Sequence, residues 1–107
     1  THQGAPWANA KKTGVRWGTR ADIKDMMVQL DKAVAVQDRL RMPVFVGEFG
    51  VYDGVPVEHR ARWIRALREG FEARDLAWCH WDFAGGLKTY DVEQEAWLPD
   101  IKAALLD

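Results

Sequence analysis

Apolar residues along this chain recur with two different periods. Ile23, Met26, Met27, Leu30 and Val34 return at helical spacing, while Lys24, Asp25, Asp31, Lys32 and Asp38 fill the other side. That pattern predicts an amphipathic helix. Thr19, with Asp22 three positions on, supplies a weak form of the capping signature at its start. The helix is expected to end near Leu40, where Arg41-Met42-Pro43 stops it. Upstream, Gly4, Pro6, Gly14 and Gly18 break any period, so residues 1–18 read as loop.

Val44-Phe45-Val46-Gly47-Glu48-Phe49 is a short run, apolar on both faces and rich in β-branched and aromatic residues. Such a run fits a parallel strand covered on both sides. Gly50 to Gly54 form the exit loop. Pro56 suits a first helical position, and Trp63, Ile64, Leu67 and Phe71 make the stripe of a second helix. Glu58 near its start and Arg74 near its end complement the helix dipole. Leu76 to Phe83 is a second run of buried-strand type, followed by a loop from Gly85-Gly86 through Tyr90 and Asp91. The last helix is expected to carry Trp97, Leu98, Ile101, Ala104 and Leu105, with Pro99 in its first turn.

Helix, strand, helix, strand, helix is the order of an α/β protein with parallel strands and right-handed crossovers. Pro43 and Leu76 lie 33 positions apart, one βα unit of ordinary length. Two parallel strands leave two open edges, so something else is expected to pair with them.

Composition narrows the picture. The 107 residues suit one small domain, with 15 basic and 16 acidic side chains, a net charge of −1 and a pI near 6.3. That balance excludes a nucleic-acid binder driven by bulk charge. Hydrophobic residues at 48% and charged ones at 29% are globular proportions. No apolar run is long enough to span a membrane. Cys79 stands alone, with no metal-ligand spacing and no glycine loop suited to phosphate. A start at Thr1 without a basic-then-apolar leader is expected of a processed or excised piece.

Chemistry in parallel α/β folds gathers beyond the C-terminal ends of the strands. Glu48 and Trp81 occupy that end of the two runs, 33 positions apart, and so stand at matching heights in consecutive units. If Glu48 faces a barrel interior, simple alternation sends Val44 and Val46 inward with it, and Trp81 takes Ala77 and Cys79. A carboxylate beside an indole face is an arrangement suited to cleaving sugars. The carboxylate meets a cation-like anomeric carbon and the ring packs on the C–H face of the pyranose. The plainer alternative has Glu48 capping a loop or pairing with an arginine, and Trp81 in the core.

Pro43-Val44-Phe45-Val46-Gly47-Glu48-Phe49-Gly50 resembles the nucleophile strand of glycoside hydrolase family 5, the cellulase family. Ala77-Trp78-Cys79-His80-Trp81-Asp82-Phe83 is similar to its final strand, and Thr1-His2-Gln3-Gly4-Ala5 to the loop after its sixth strand. The Arg60-Ala61-Arg62-Trp63 helix and the Trp97-Leu98 segment fit as well, so the resemblance spans the chain. It implies the C-terminal fragment of a (βα)8 TIM barrel, with two parallel strands and three helices, incomplete alone. Residues 1–107 would be the C-terminal portion of a glycoside hydrolase catalytic domain.

The implied activity is retaining hydrolysis of β-glycosidic bonds in polysaccharide, of the endo-β-1,4-glucanase type. Glu48 would be the nucleophile and Trp81 the platform under the sugar, while Trp7 and His2, with Gln3, are candidates for lining the cleft from their loop. No cofactor or metal is implied. The family's acid/base glutamate and its His-x-Tyr element lie on strands absent from this chain, and retaining cleavage needs two carboxyl groups roughly 5 Å apart. The chain alone is therefore expected to be inactive. Asp53, Asp82 and Asp91 read as loop caps, and His80 as a structural histidine facing the helix layer. Lys88 and Tyr90 could be brought to the cleft by the last loop, though no spacing demands it. Trp63, Trp78 and Trp97 read as core, and Cys79 as a small buried residue.

The expected partner is a β-glucan or related polysaccharide, with no nucleic acid or membrane, and either a homo-oligomer or a complementing barrel half. Family members are typically exported, which implies a secreted or periplasmic setting. Two other readings remain open: a non-catalytic fragment that assembles through its strand edges, and a doubly wound sheet of another function.

Overall fold

A computed structural model describes residues 4–8 and 14–107. The first helix, α1, runs Arg20–Leu40 and starts as its sequence predicts. The Thr19 hydroxyl accepts from the Asp22 amide at 3.2 Å, and the Asp22 carboxylate accepts from the Thr19 amide at 2.9 Å. Reciprocal bonding of this kind satisfies amide groups that a helix start otherwise leaves open. Strand β1 follows at Phe45–Phe49, helix α2 at Val57–Glu72 and strand β2 at Ala77–His80. Pro56 is the residue before α2 rather than its first helical position. Arg74 lies beyond the end of α2, yet its guanidinium turns back and donates to the Gly70 carbonyl at 3.1 Å.

The core lies between this strand pair and the helices. Ile64, Leu67 and Phe71 of α2 pack with Leu30, Phe49, Val51 and Leu76. Gly70 lets α1 approach closely, since a Cβ there would come within 2.6 Å of the Leu30 side chain. The shorter helix α3, Pro99–Leu106, closes the core with Ile101 and Ala104. Arg68 ties α2 to α3 by donating to the Ala104 carbonyl at 3.0 Å.

β1 and β2 pair in parallel, with Phe45 opposite Ala77, Val46 opposite Trp78 and Phe49 opposite His80. Three steps on β1 therefore match two on β2, an extra residue of the bulge type. Val46 and Trp78 pack on the helical core, while Phe45, at 63% exposure, and Cys79 stand on the open side. The expectation of strands covered on both faces is thus corrected, because among the described residues the helices cover one face only. Cys79 is exposed for the same reason, not a small buried residue.

The second strand also ends sooner than its apolar run, at His80, and the last helix starts later than expected. Trp97 belongs not to α3 but to a two-residue strand, β4 (Ala96–Trp97), paired antiparallel with β3 (Tyr90–Asp91). Asp91 closes the connecting turn by accepting from the Glu93 and Gln94 amides. Trp97 is consequently an exposed member of a surface cluster with Phe83 and Tyr90 rather than a core residue. The turn contains no glycine or proline, which is why periodicity missed it.

Ile64 is wholly buried between the strands and α3. Replacing it with alanine is expected to cost about 2–5 kcal/mol, read as a lowered urea midpoint.

Candidate active site

The two strand ends are joined by one hydrogen bond. The Trp81 amide donates to the Phe49 carbonyl at 2.9 Å, extending the pairing one residue past β2. Phe49 and His80 both turn toward the helices, their rings meeting edge to face at 5.3 Å. Phe49 stands opposite His80, so Glu48 lies one residue before that level and Trp81 one after it, rather than at the matching heights expected. Alternation past His80 sets Trp81 on the other face, while Glu48 sits in the irregular stretch after Val46. Both are exposed, Trp81 to 51%. Val44 and Val46 do not accompany Glu48, as strict alternation would require; they pack on the helical core. The extra residue in β1 breaks the parity between Val46 and Phe49. Glu48 has no hydrogen bond or salt bridge with any described side chain. It also borders a recess of about 380 Å³ shared with Val46, Leu30, Trp63 and Leu67.

The loops after the strands fix the backbone around Trp81. Gly50 permits a close approach, because a Cβ there would overlap the Trp81 carbonyl oxygen. The Trp81–Asp82 peptide is cis. The Asp53 amide donates to the Gly86 carbonyl at 2.8 Å and links the two exit loops. Trp7, 61% exposed, lies against this pair: its ring meets Tyr52 edge to face at 5.4 Å, beside Gly86. The structure thus brings Trp7 to the loop end where Glu48 and Trp81 stand. His2 and Gln3 lie outside the described residues.

The aspartates divide. Asp82 accepts from the Gly85 amide at 2.9 Å and Asp91 caps the hairpin turn, as loop caps should. Asp91 is held below the usual carboxylate range, first by its bond from the Gln94 amide. The Asp53 side chain accepts no such bond among the described residues. Lys88 pairs with Asp91 at 3.5 Å, and Tyr90 stacks on Phe83.

Beneath the loops sits a polar cluster that periodicity did not reveal. Arg60, 3% exposed, donates from Nη2 to the Lys88 carbonyl at 2.7 Å. Burial lowers the pKa of its guanidinium, opposed by Asp53 and Asp82. Thr89 donates its hydroxyl to the Asp82 carbonyl at 2.8 Å and lies 3.4 Å from His80 Nδ1. With that proton committed, His80 Nδ1 is the donor and Nε2 the bare acceptor. Nε2 has no partner among the described residues, so His80 faces the helix layer as expected but is not fully satisfied. Arg60 continues the α2 stripe at positions 60, 64, 67 and 71, a register that marks an arginine as buried. Among the described residues no group of His, Cys, Asp and Glu could hold a metal ion, and no helix is long and apolar enough to cross a membrane.

No family model matches the sequence, and no curated protein matches it. Solved structures do. Cel5A from Thermotoga maritima, in complex with cellobiose, matches 99% of this chain with a TM-score of 0.94 and 30% identity. The cellulose synthase subunit Z (CcsZ) from Clostridioides difficile matches 99% with a TM-score of 0.90 and 28% identity. A GH5-4 broad specificity endoglucanase from Clostridium acetobutylicum, 20% identical over 96% of this chain with a TM-score of 0.79, shares the fold. The chain spans about a third of each, 35%, 36% and 34%. The family 5 resemblance read from the sequence therefore holds in three dimensions, over part of such a barrel.

Burial first, and the Arg60 charge second, pull His80 down to about 4 from 6.5, against an opposing effect of Asp82. Between these values the unfolded chain takes up the proton more readily. Stability is then full above about pH 6.5 and falls as pH drops toward 4. The urea midpoint is expected to decline across that window, and His80→Gln to remove this part of the decline.

Proposed function

We propose that this part of a family 5 barrel carries the nucleophile side of a retaining β-glycosidase, of the endo-β-1,4-glucanase type. One observation carries the reading. Glu48 lies one residue before, and Trp81 one residue after, the Phe49–His80 pair of two neighbouring parallel strands, the Trp81 amide is bonded to the Phe49 carbonyl, and both side chains are exposed. In this reading the Glu48 carboxylate attacks the anomeric carbon and forms the glycosyl-enzyme intermediate. Trp81 packs under the sugar at the point of cleavage, and Trp7, backed by Tyr52, forms a second aromatic wall. His2, five positions before Trp7 in the sequence, is a further candidate for lining the sugar cleft.

The second carboxyl group must come from elsewhere. Asp82 and Asp91 are engaged with loop amides, which favours caps over an acid that protonates a leaving oxygen. The remaining two-thirds of the barrel would supply the acid/base, and the substrate would be a β-glucan or related polysaccharide. Cel5A of Thermotoga maritima has been solved with cellobiose and with mannotriose, which supports a β-linked sugar ligand.

A second reading rests on the strand edges. The outer edges of β1 and β2 are unpaired among the described residues, and Phe45 and Met42 are exposed beside them. A non-catalytic fragment that assembles edge to edge would bury this surface.

An aryl β-cellobioside assay separates the two. The chain as a verified monomer is expected to give no turnover, and turnover is expected once the uncovered portion of a family 5 barrel is fused or supplied in trans. Glu48→Gln is expected to lower that activity by about three orders of magnitude or more. Turnover by the monomer, or an active Glu48→Gln barrel, counts against the assignment. A chain that stays oligomeric and inactive with the complement present supports edge assembly.

A further inference from the structure

We infer that Arg60 is a positioning residue: from the helical layer it sets the Trp81 indole through the Lys88 carbonyl, the Thr89 hydroxyl and the Asp82 carbonyl. The inference rests on the reading of Trp81 as the sugar platform, and adds what holds that platform in place.

The path is continuous. Arg60 Nη2 donates to the Lys88 carbonyl at 2.7 Å. The adjoining Thr89 is buried, donates its hydroxyl to the Asp82 carbonyl at 2.8 Å and its amide to the Phe83 carbonyl at 2.9 Å. Asp82 is the residue that follows Trp81. On its other side Trp81 is held by the Phe49 carbonyl. The indole is thus carried on a backbone fastened at both ends, once to β1 and once to α2.

Chemistry explains why an arginine occupies this place. Taking a guanidinium out of water is costly unless its donors find acceptors. Arg62 and Arg65 of the same helix avoid that cost by staying exposed. Arg60 instead lies buried in register with Ile64, Leu67 and Phe71, its Nη2 donating to a loop carbonyl while its Nε has no partner among the described residues. A residue needed for packing alone in that stripe would be apolar.

The test uses the full chain labelled with 5-fluorotryptophan and read by fluorine NMR, with the Trp81 resonance assigned by its loss in Trp81→Phe. In Arg60→Met the Trp81 resonance is expected to move by more than its linewidth, while that of Trp63, on the same helix, keeps its position. Arg60→Lys is expected to return it toward the wild-type position. Should Arg60→Met collapse all the resonances, Thr89→Val decides, and a displaced Trp81 resonance supports the inference. A Trp81 resonance unmoved in Arg60→Met, or in Thr89→Val where that variant decides, overturns it. The readout involves no sugar. If the platform reading itself is wrong, that appears separately, as Trp81→Phe leaving turnover of the complemented barrel unchanged.

Discussion

Phe49 is the residue on which fold and site both turn. Its ring is buried among Phe71, Trp78 and His80, with centroids 5.1, 5.6 and 5.3 Å away. Its carbonyl accepts the amide of Trp81. The side chain fastens the strand pair to the helical layer, and the backbone of the same residue holds the amide of Trp81. Glu48, the neighbour of Phe49 beside the irregularity in β1, is exposed.

The sheet is finished on one face only. Val46, Phe49 and Trp78 meet the helices, whereas Phe45, Cys79 and Trp81 stand in the open. Helices on one side and exposed aromatics on the other are what a piece of a closed barrel would present, and the chain spans about a third of the proteins it matches. A completed barrel covers the open face with further strands, and those strands would bring the second carboxyl group. Closing the sheet and completing the proposed chemistry would then be one event.

Much of this was legible beforehand. The capping pair Thr19 and Asp22, the α2 stripe and the positions of both strands follow from period and punctuation alone. What escaped was decided by contacts distant in sequence. The bulge in β1 depends on its register with β2, so counting along one strand put Val44 and Val46 on the wrong face. Trp97 left the helix for a hairpin whose turn is closed by the Asp91 side chain, with neither glycine nor proline to announce it. Arg60 was not singled out, although its place in the 60, 64, 67, 71 series was there to be seen. Thr89 carried no signal, because a threonine in a loop reveals nothing of the carbonyl it will meet.

Local chemistry therefore determined which segments become helix and strand, and that a glutamate and a tryptophan would end consecutive strands. Periodicity and capping act over a few residues, so one stretch of chain contains all they need. Which face each strand shows, how the loops are fastened to α2 and where the second sheet forms were left to the tertiary structure. Those depend on pairings between residues tens of positions apart, whose partners no single segment contains.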